Sequence, residues 1–206
     1  MNILHISCSP RGQAAESYRL SQKIIGFLLQ KQPSATVVNR MLGEDGIAHV
    51  DANYALVQQS AGADIAPDGA IARSEELIQE LESADVVVIG TPMHNLSVPS
   101  ALKAWIDHVV RARRTFHLTP QGKAGALRDR PVLVGVSSGG IYSGERARQP
   151  DFLTPYLKIV LATIGLHDLT FFSVQGTGFG PDAVAEARSR TEQALQDYFA
   201  AFYIPA

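Results

Sequence analysis

Short runs of β-branched and other apolar residues alternate along this chain with longer stretches in which apolar side chains return every three or four positions. Five runs stand out: Ile3 to Ser7, Thr36 to Asn39, Val86 to Gly90, Val132 to Ser137 and Leu169 to Val174. Each is too short for a helix and rich in strand-forming residues, so each predicts a strand. The segments DVVVIG and PVLVGVSS carry apolar residues at both alternating positions, which predicts central strands covered on both faces, while ATVVN is shorter and belongs nearer an edge. Between strands, Leu20, Ile24, Phe27 and Leu28 share one face of a helix over Ser17 to Gln30. Further helices are predicted over Glu75 to Glu82, Ser100 to Val110, Phe152 to Thr163 and Asp182 to Phe202. Ser100 and Asp182 suit N-caps, and Pro155 falls in a first turn where its missing N–H is harmless. Regular alternation of strand and helix is the pattern of an α/β protein with a parallel sheet and helices on its faces.

Two stretches break that pattern. Residues 40–70 contain Gly43, Gly46, Gly62, Pro67 and Gly69 and predict a long excursion with one short helix near Tyr54 to Gln59. Thr115 to Arg130 predicts a second irregular segment, and excursions of this length in compact domains are often functional.

Length and composition narrow the function. The 206 residues suit a single domain spanning 1–206, and 46% hydrophobic against 18% charged residues is enough to bury a core. A net charge of −2 supplies no field of one sign for nucleic acid or an anionic membrane, which leaves a small molecule as the expected partner. No apolar run approaches the roughly 20 residues of a membrane span, and MNILHISCSP turns polar too soon for a secretory signal. Cys8 is the single cysteine, so no intrachain disulfide can form; it reads as a small packed residue, and a cytoplasmic location is expected.

In an open parallel sheet, ligands bind beyond the carboxyl ends of the strands. After the first strand, SPRGQAAES opens directly onto a helix, whose free N–H groups and dipole suit a phosphate. Ser9 and Ser17 could donate to the same anion and Arg11 could add a charge-assisted bond; the alternative is an ordinary turn with Ser17 as N-cap and Arg11 in solvent. The loop matches neither G-x-G-x-x-G nor G-x-x-x-x-G-K-[ST]. After the third strand comes TPMHNLSVPS, in which Pro92 and Pro99 restrict the backbone and Met93 and Leu96 offer apolar contact to a planar ring. His94 and Asn95 are no metal site, because no further histidine or cysteine lies at ligand spacing. After the fourth strand, Ser137, Ser138, Gly139 and Gly140 let the backbone approach a ligand and offer hydroxyl bonds to it. His49, His108, His117 and His167 read as surface or packing residues, and Arg111, Arg113 and Arg114 as a solvated cluster favourable to a helix end.

These loops resemble those of the FMN-dependent NADH:azoreductases, also described as NAD(P)H:quinone oxidoreductases. The likeness is carried by Ser9, Ser17, Leu20 and Ser21, by TPMHNLSVPSALKAWID and by SSGGIY, with RTF near Phe116, DFLTPYLKIVLATIG and GTGFG extending it over nearly the whole chain. It implies a flavodoxin-like three-layer sandwich with five parallel strands in the order 2-1-3-4-5, tightly bound FMN, NADH or NADPH as electron donor, and a homodimer. Carried over by residue, it implies Ser9 and Ser17 on the phosphate, Met93, His94, Asn95 and Leu96 beside the isoalloxazine, and Ser137 to Gly140 at its pyrimidine end; the loop reading adds Arg11 and Pro92 to the candidate cofactor-binding residues. Asn95, Phe116 and Tyr142 are candidates for the substrate slot, Phe116 reaching it from the partner subunit. The chain departs from the family pattern at Ala15, where a second serine is common, at His94, where an aromatic is common, and at Ser138, where arginine is frequent. A flavin carries the redox chemistry itself, so no protein nucleophile or paired carboxylates are required, and none is seen. The implied reaction is ping-pong, two-electron reduction of quinones and azo compounds through one apolar slot. Two other classes remain. A flavodoxin-type electron carrier would ordinarily be strongly acidic, which this chain is not. A hydrolase acting on the phosphopantetheine arm of acyl carrier protein would require a metal or nucleophile.

Overall fold

The computed structural model describes residues 1–59 and 68–203. The five apolar runs form one parallel sheet from β1 (Asn2–Ser7), β2 (Thr36–Met41), β3 (Val86–Pro92), β6 (Val132–Ser138) and β7 (Leu169–Gln175), ordered β2-β1-β3-β6-β7. The gap in numbering arises because the stretch expected to be irregular, 115–130, contains the antiparallel hairpin β4 (Phe116–Thr119) and β5 (Gly122–Gly125) outside the sheet. Every register pair between sheet neighbours is parallel. β3 and β6 are central and buried almost end to end, and β2 is an edge.

Strand alternation divides the core into two layers. Val86 and Val88 of β3 and Leu133 of β6 face α1 (Glu16–Lys31) and α7 (Pro181–Ala201), meeting Leu20, Ile24, Leu28, Leu195 and Phe199. Val87, Ile89, Val132, Val134 and Val136 face the other way onto α4 (Gly69–Ser83), α5 (Ser100–Val109) and α6 (Thr154–Ala162), where Leu77, Leu102, Trp105 and Leu157 are buried. Each fully buried aliphatic side chain of this kind contributes about 1.5–3 kcal/mol, so the two layers hold the strand ends, and the loops after them, in fixed relation.

Several expectations need correction. Ser100 and Asp182 do not cap their helices: Pro99 and Gly180 occupy the N-cap positions, and neither makes a side-chain cap bond. α6 starts two residues later than expected, with Asp151 Oδ1 accepting the N–H of Leu153 and Thr154 (both 2.9 Å), and Pro155 sits in its first turn as expected. α4 begins at Gly69 rather than Glu75, because Ala70 and Ser74 continue the buried face of Leu77, Ile78 and Leu81. The excursion after β2 holds α2 (Leu42–Asp45) and α3 (Ala52–Gln59), the latter where a short helix was expected; Gly62 and Pro67 lie outside the described residues. The arginine cluster is bonded to neighbouring elements rather than simply solvated, although Arg113 remains exposed. Arg114 bridges Glu75 (2.9 Å) and Glu82 (2.6 Å), Arg111 reaches Glu75 (2.5 Å) and Ser74 (3.0 Å), and Arg113 donates to the carbonyls of Val57 and Gln58 (3.0 and 2.7 Å). Together they clamp α3 and α4 to the end of α5.

Candidate functional site

The carboxyl ends of β1, β3 and β6 lie side by side, Ser7 opposite Gly90 and Pro92 opposite Ser137, so the three loops of interest form one rim. Two backbone bonds stitch them: Cys8 N–H to Gly90 O (2.9 Å) and Met93 N–H to Ser137 O (2.8 Å).

The β1 loop forms a cradle whose geometry suits an anion. α1 follows directly and its N-cap, Ala15, has no side chain able to bond the first turn, so the first N–H groups of the helix lack both intrahelical and capping acceptors. Ser17 is not the N-cap but lies inside that turn, 0% exposed, and its Oγ has no hydrogen-bond partner among the described residues; the Oγ of buried Ser7 likewise has none there. A buried hydroxyl left unbonded costs about 1–3 kcal/mol, and together with an uncapped helix end it fits a phosphate. Close packing holds the cradle in place. A β-carbon at Gly90 would stand 2.9 Å from Ser17 O, so only glycine lets α1 lie on β3 this closely, and one at Gly43 would stand 2.0 Å from Ser9 O. Ser9 is buried and its Oγ accepts the N–H of Arg11 (3.2 Å), while the Arg11 side chain is exposed at the mouth. Glu44, exposed, reaches over Gly12 and places a carboxylate at the same mouth.

The β3 loop owes its shape to more than its prolines. His94 and Ser97 exchange two backbone bonds (both 3.0 Å) around Asn95 and Leu96, whose φ values of 49° and 69° make a two-residue hairpin turn of the left-handed kind. Asparagine tolerates that region; leucine does not, and such strain in a non-glycine residue clusters at ligand sites. His94 and Asn95 are exposed, Pro92 and Leu96 half-buried, and Met93 buried beneath them.

Ser137 and Ser138 end β6 buried, with Gly139 exposed and Gly140 half-buried beyond them. A fourth loop, GTGFG after β7, fastens this one by backbone: Thr177 N–H to Ser138 O (3.0 Å), Gly178 N–H to Gly139 O and Gly176 N–H to Gly140 O (both 3.1 Å). That support went unread in the sequence because it is made by main-chain atoms. Gln149 was also missed: its Nε2 donates to Ser138 Oγ and Met93 Sδ, both 3.2 Å. Nothing in its sequence neighbourhood marks it.

Two slot candidates do not face the rim of their own chain. Tyr142 is 8% exposed and turns into the core, its N–H bonded to Gln175 Oε1 (2.9 Å); burial, opposed by a hydrogen bond with Ser173, pushes its phenol up to about 12, so it stays neutral. Phe116 is 6% exposed on the β4–β5 hairpin, which leads into the amino end of β6, across the sheet from the rim. A cleft of about 280 Å³ opens beside the rim, lined by Cys8, Pro10, Gly43, His49, His94 and Pro99, and a wider one of about 560 Å³ runs along β7 and α7.

This sheet order with its three-loop rim defines a flavodoxin-like protein, and the family model described as flavodoxin-like fold matches residues 1–199. The chain is 47% identical over 194 residues to FMN-dependent NADH:quinone oxidoreductase 4 of Pseudomonas fluorescens, covering 94% of this chain and 93% of that one. It is 46% identical over 192 residues to FMN-dependent NADH:quinone oxidoreductase 5 of Burkholderia lata, covering 93% of each. It therefore belongs to the family of these oxidoreductases. Among solved structures, an azoreductase from Bacillus anthracis shares the fold with a TM-score of 0.85, 24% identity and coverage of 98% of this chain and 100% of the other.

Proposed function

We propose that this chain, folded as a single domain, binds FMN at the three-loop rim and uses it to carry electrons from NADH, or NADPH, to quinones and azo compounds. When bound, FMN supplies the two-electron chemistry, taking hydride from the nicotinamide and releasing it to the acceptor. The chain's residues bind, orient and shield. Ser9, Ser17 and the first N–H groups of α1 hold the phosphate, with Arg11 adding charge at the mouth. Pro92, Met93, His94, Asn95 and Leu96 lie along the ring, and Ser137, Ser138, Gly139 and Gly140 border its pyrimidine end. Asn95 lines the slot above, and Phe116, which lies at the far end of the sheet in its own chain, joins it from a second copy of the chain. One slot forces donor and acceptor to take turns, a ping-pong order. The buried, unbonded Ser17 hydroxyl at the uncapped start of α1 is the observation that carries the proposal. No helix among the described residues is long and apolar enough to cross a membrane, and we place the protein in the cytoplasm.

The test is an anaerobic titration of the FMN-loaded protein with NADH and NADPH, followed by a quinone and then an azo dye. The yellow colour should bleach with nucleotide and return with either acceptor. Colour that survives both nucleotides rules the reductase out.

A further inference from the structure

The segment that crosses the rim between β6 and α6 carries a polar side chain that the site described so far leaves without a duty. It is tied on both sides of Gln149: Arg148 donates its N–H to Ile141 O (2.9 Å), and Phe152 donates to Leu96 O (3.1 Å). The chain thus passes from the β6 loop to the β3 turn with Gln149 between them. Its side chain is half-buried in that gap, with Nε2 on Ser138 Oγ and Met93 Sδ, each at 3.2 Å. Its Oε1 lies over Gly140, 2.2 Å from where a β-carbon would stand, so glycine at 140 is what leaves room for it.

Both bonds are weak tethers. A thioether is a poor acceptor, and the serine hydroxyl can turn to another partner. Oε1 takes no hydrogen bond from the described residues. A loosely held donor and a free acceptor on one planar amide complement an imide edge, an N–H beside a carbonyl. Arg148, the neighbouring cation, bends its Nη1 back to Ala147 O (2.8 Å) and is exposed. Serine at 138 is short, and Gln149 occupies the space beside it.

We infer that Gln149 binds the pyrimidine edge of FMN, Oε1 accepting the ring N3–H and Nε2 donating to an adjacent ring carbonyl. The inference rests on the FMN reading above. Those carbonyls gain negative charge when the ring is reduced, and a hydrogen bond to a charged acceptor is stronger than one to a neutral acceptor. Gln149 therefore favours reduced over oxidised flavin and raises the potential of the bound cofactor.

The experiment compares FMN with N3-methyl-FMN on the wild-type chain and on Gln149→Met, by fluorescence titration, and measures the midpoint potential of each FMN-loaded protein. Wild type should prefer FMN by about tenfold, one good hydrogen bond, and Gln149→Met should bind the two alike. The variant's potential should fall by about 30 mV, which is a tenfold change in relative affinity for a two-electron couple. Gln149→Glu, which keeps an acceptor but adds charge, should lower the potential further. A wild type that binds the two flavins alike overturns the inference even if Gln149→Met fails to fold. A variant with wild-type discrimination and potential does the same. A wild type that takes up neither flavin brings down the FMN reading itself, and this inference with it.

Discussion

Ser17 is held in the first turn of α1 with its hydroxyl buried and unbonded, an arrangement unfavourable to the chain by itself. Ser17→Ala should therefore raise the stability of the cofactor-free protein by about 1 kcal/mol, read as a melting temperature about 2–4 °C higher. The same variant should bind FMN at least about tenfold more weakly, through loss of a charge-assisted bond. An apo protein that melts lower would mean that the hydroxyl is satisfied after all. Leu96 makes a similar case in the backbone. Its φ of 69° strains a branched side chain by about 1–2 kcal/mol, so Leu96→Asn should stabilise the apo protein, measured by urea unfolding, and weaken FMN uptake. The sequence exposed the residue types at these positions but not their states. Serine, glycine and proline in three loops are visible; an orphaned hydroxyl, a left-handed leucine or a glutamine brought over Gly140 from the far side of a loop exists only after folding.

At the scale of elements, strands were the most legible part, because burial on both faces writes itself as a run of apolar residues. Helix starts were less so. Ser100 and Asp182 have cap chemistry, yet the chain enters α5 and α7 through Pro99 and Gly180–Pro181, whose backbone angles decide the first turn. Arg111, Arg113 and Arg114 were misread because their partners, Glu75, Glu82 and the end of α3, are distant in sequence. The clamp makes a pH prediction. Hydrogen bonds from Arg114, and for Glu75 also from Arg111, hold both carboxyls below the usual range despite the opposing effect of burial. Groups with lowered folded values stabilise the fold fully above their unfolded value of about 4.3 and lose that contribution as pH falls through the folded values. Arg114→Gln should thus narrow the stability difference between pH 7 and pH 3 in chemical denaturation. A difference as large as wild type would show the clamp to be idle.

For the whole molecule, ligand and fold are linked. A group that binds only the native state stabilises it by about 2.7 kcal/mol at a hundred times its dissociation constant, so FMN at that level should raise the melting temperature by roughly 5–11 °C. Riboflavin at the same concentration, lacking the phosphate, should give a far smaller shift; equal shifts would place the anion outside the β1 loop. One further property concerns the chain entire. Its sole thiol, Cys8, closes the end of β1 with no solvent exposure, and burial pushes it well above the ordinary thiol range. Quinones are electrophiles that arylate thiolates. Although Cys8 borders the cleft beside the rim, its thiol is buried and held protonated, which disfavours its arylation by the quinones handled there.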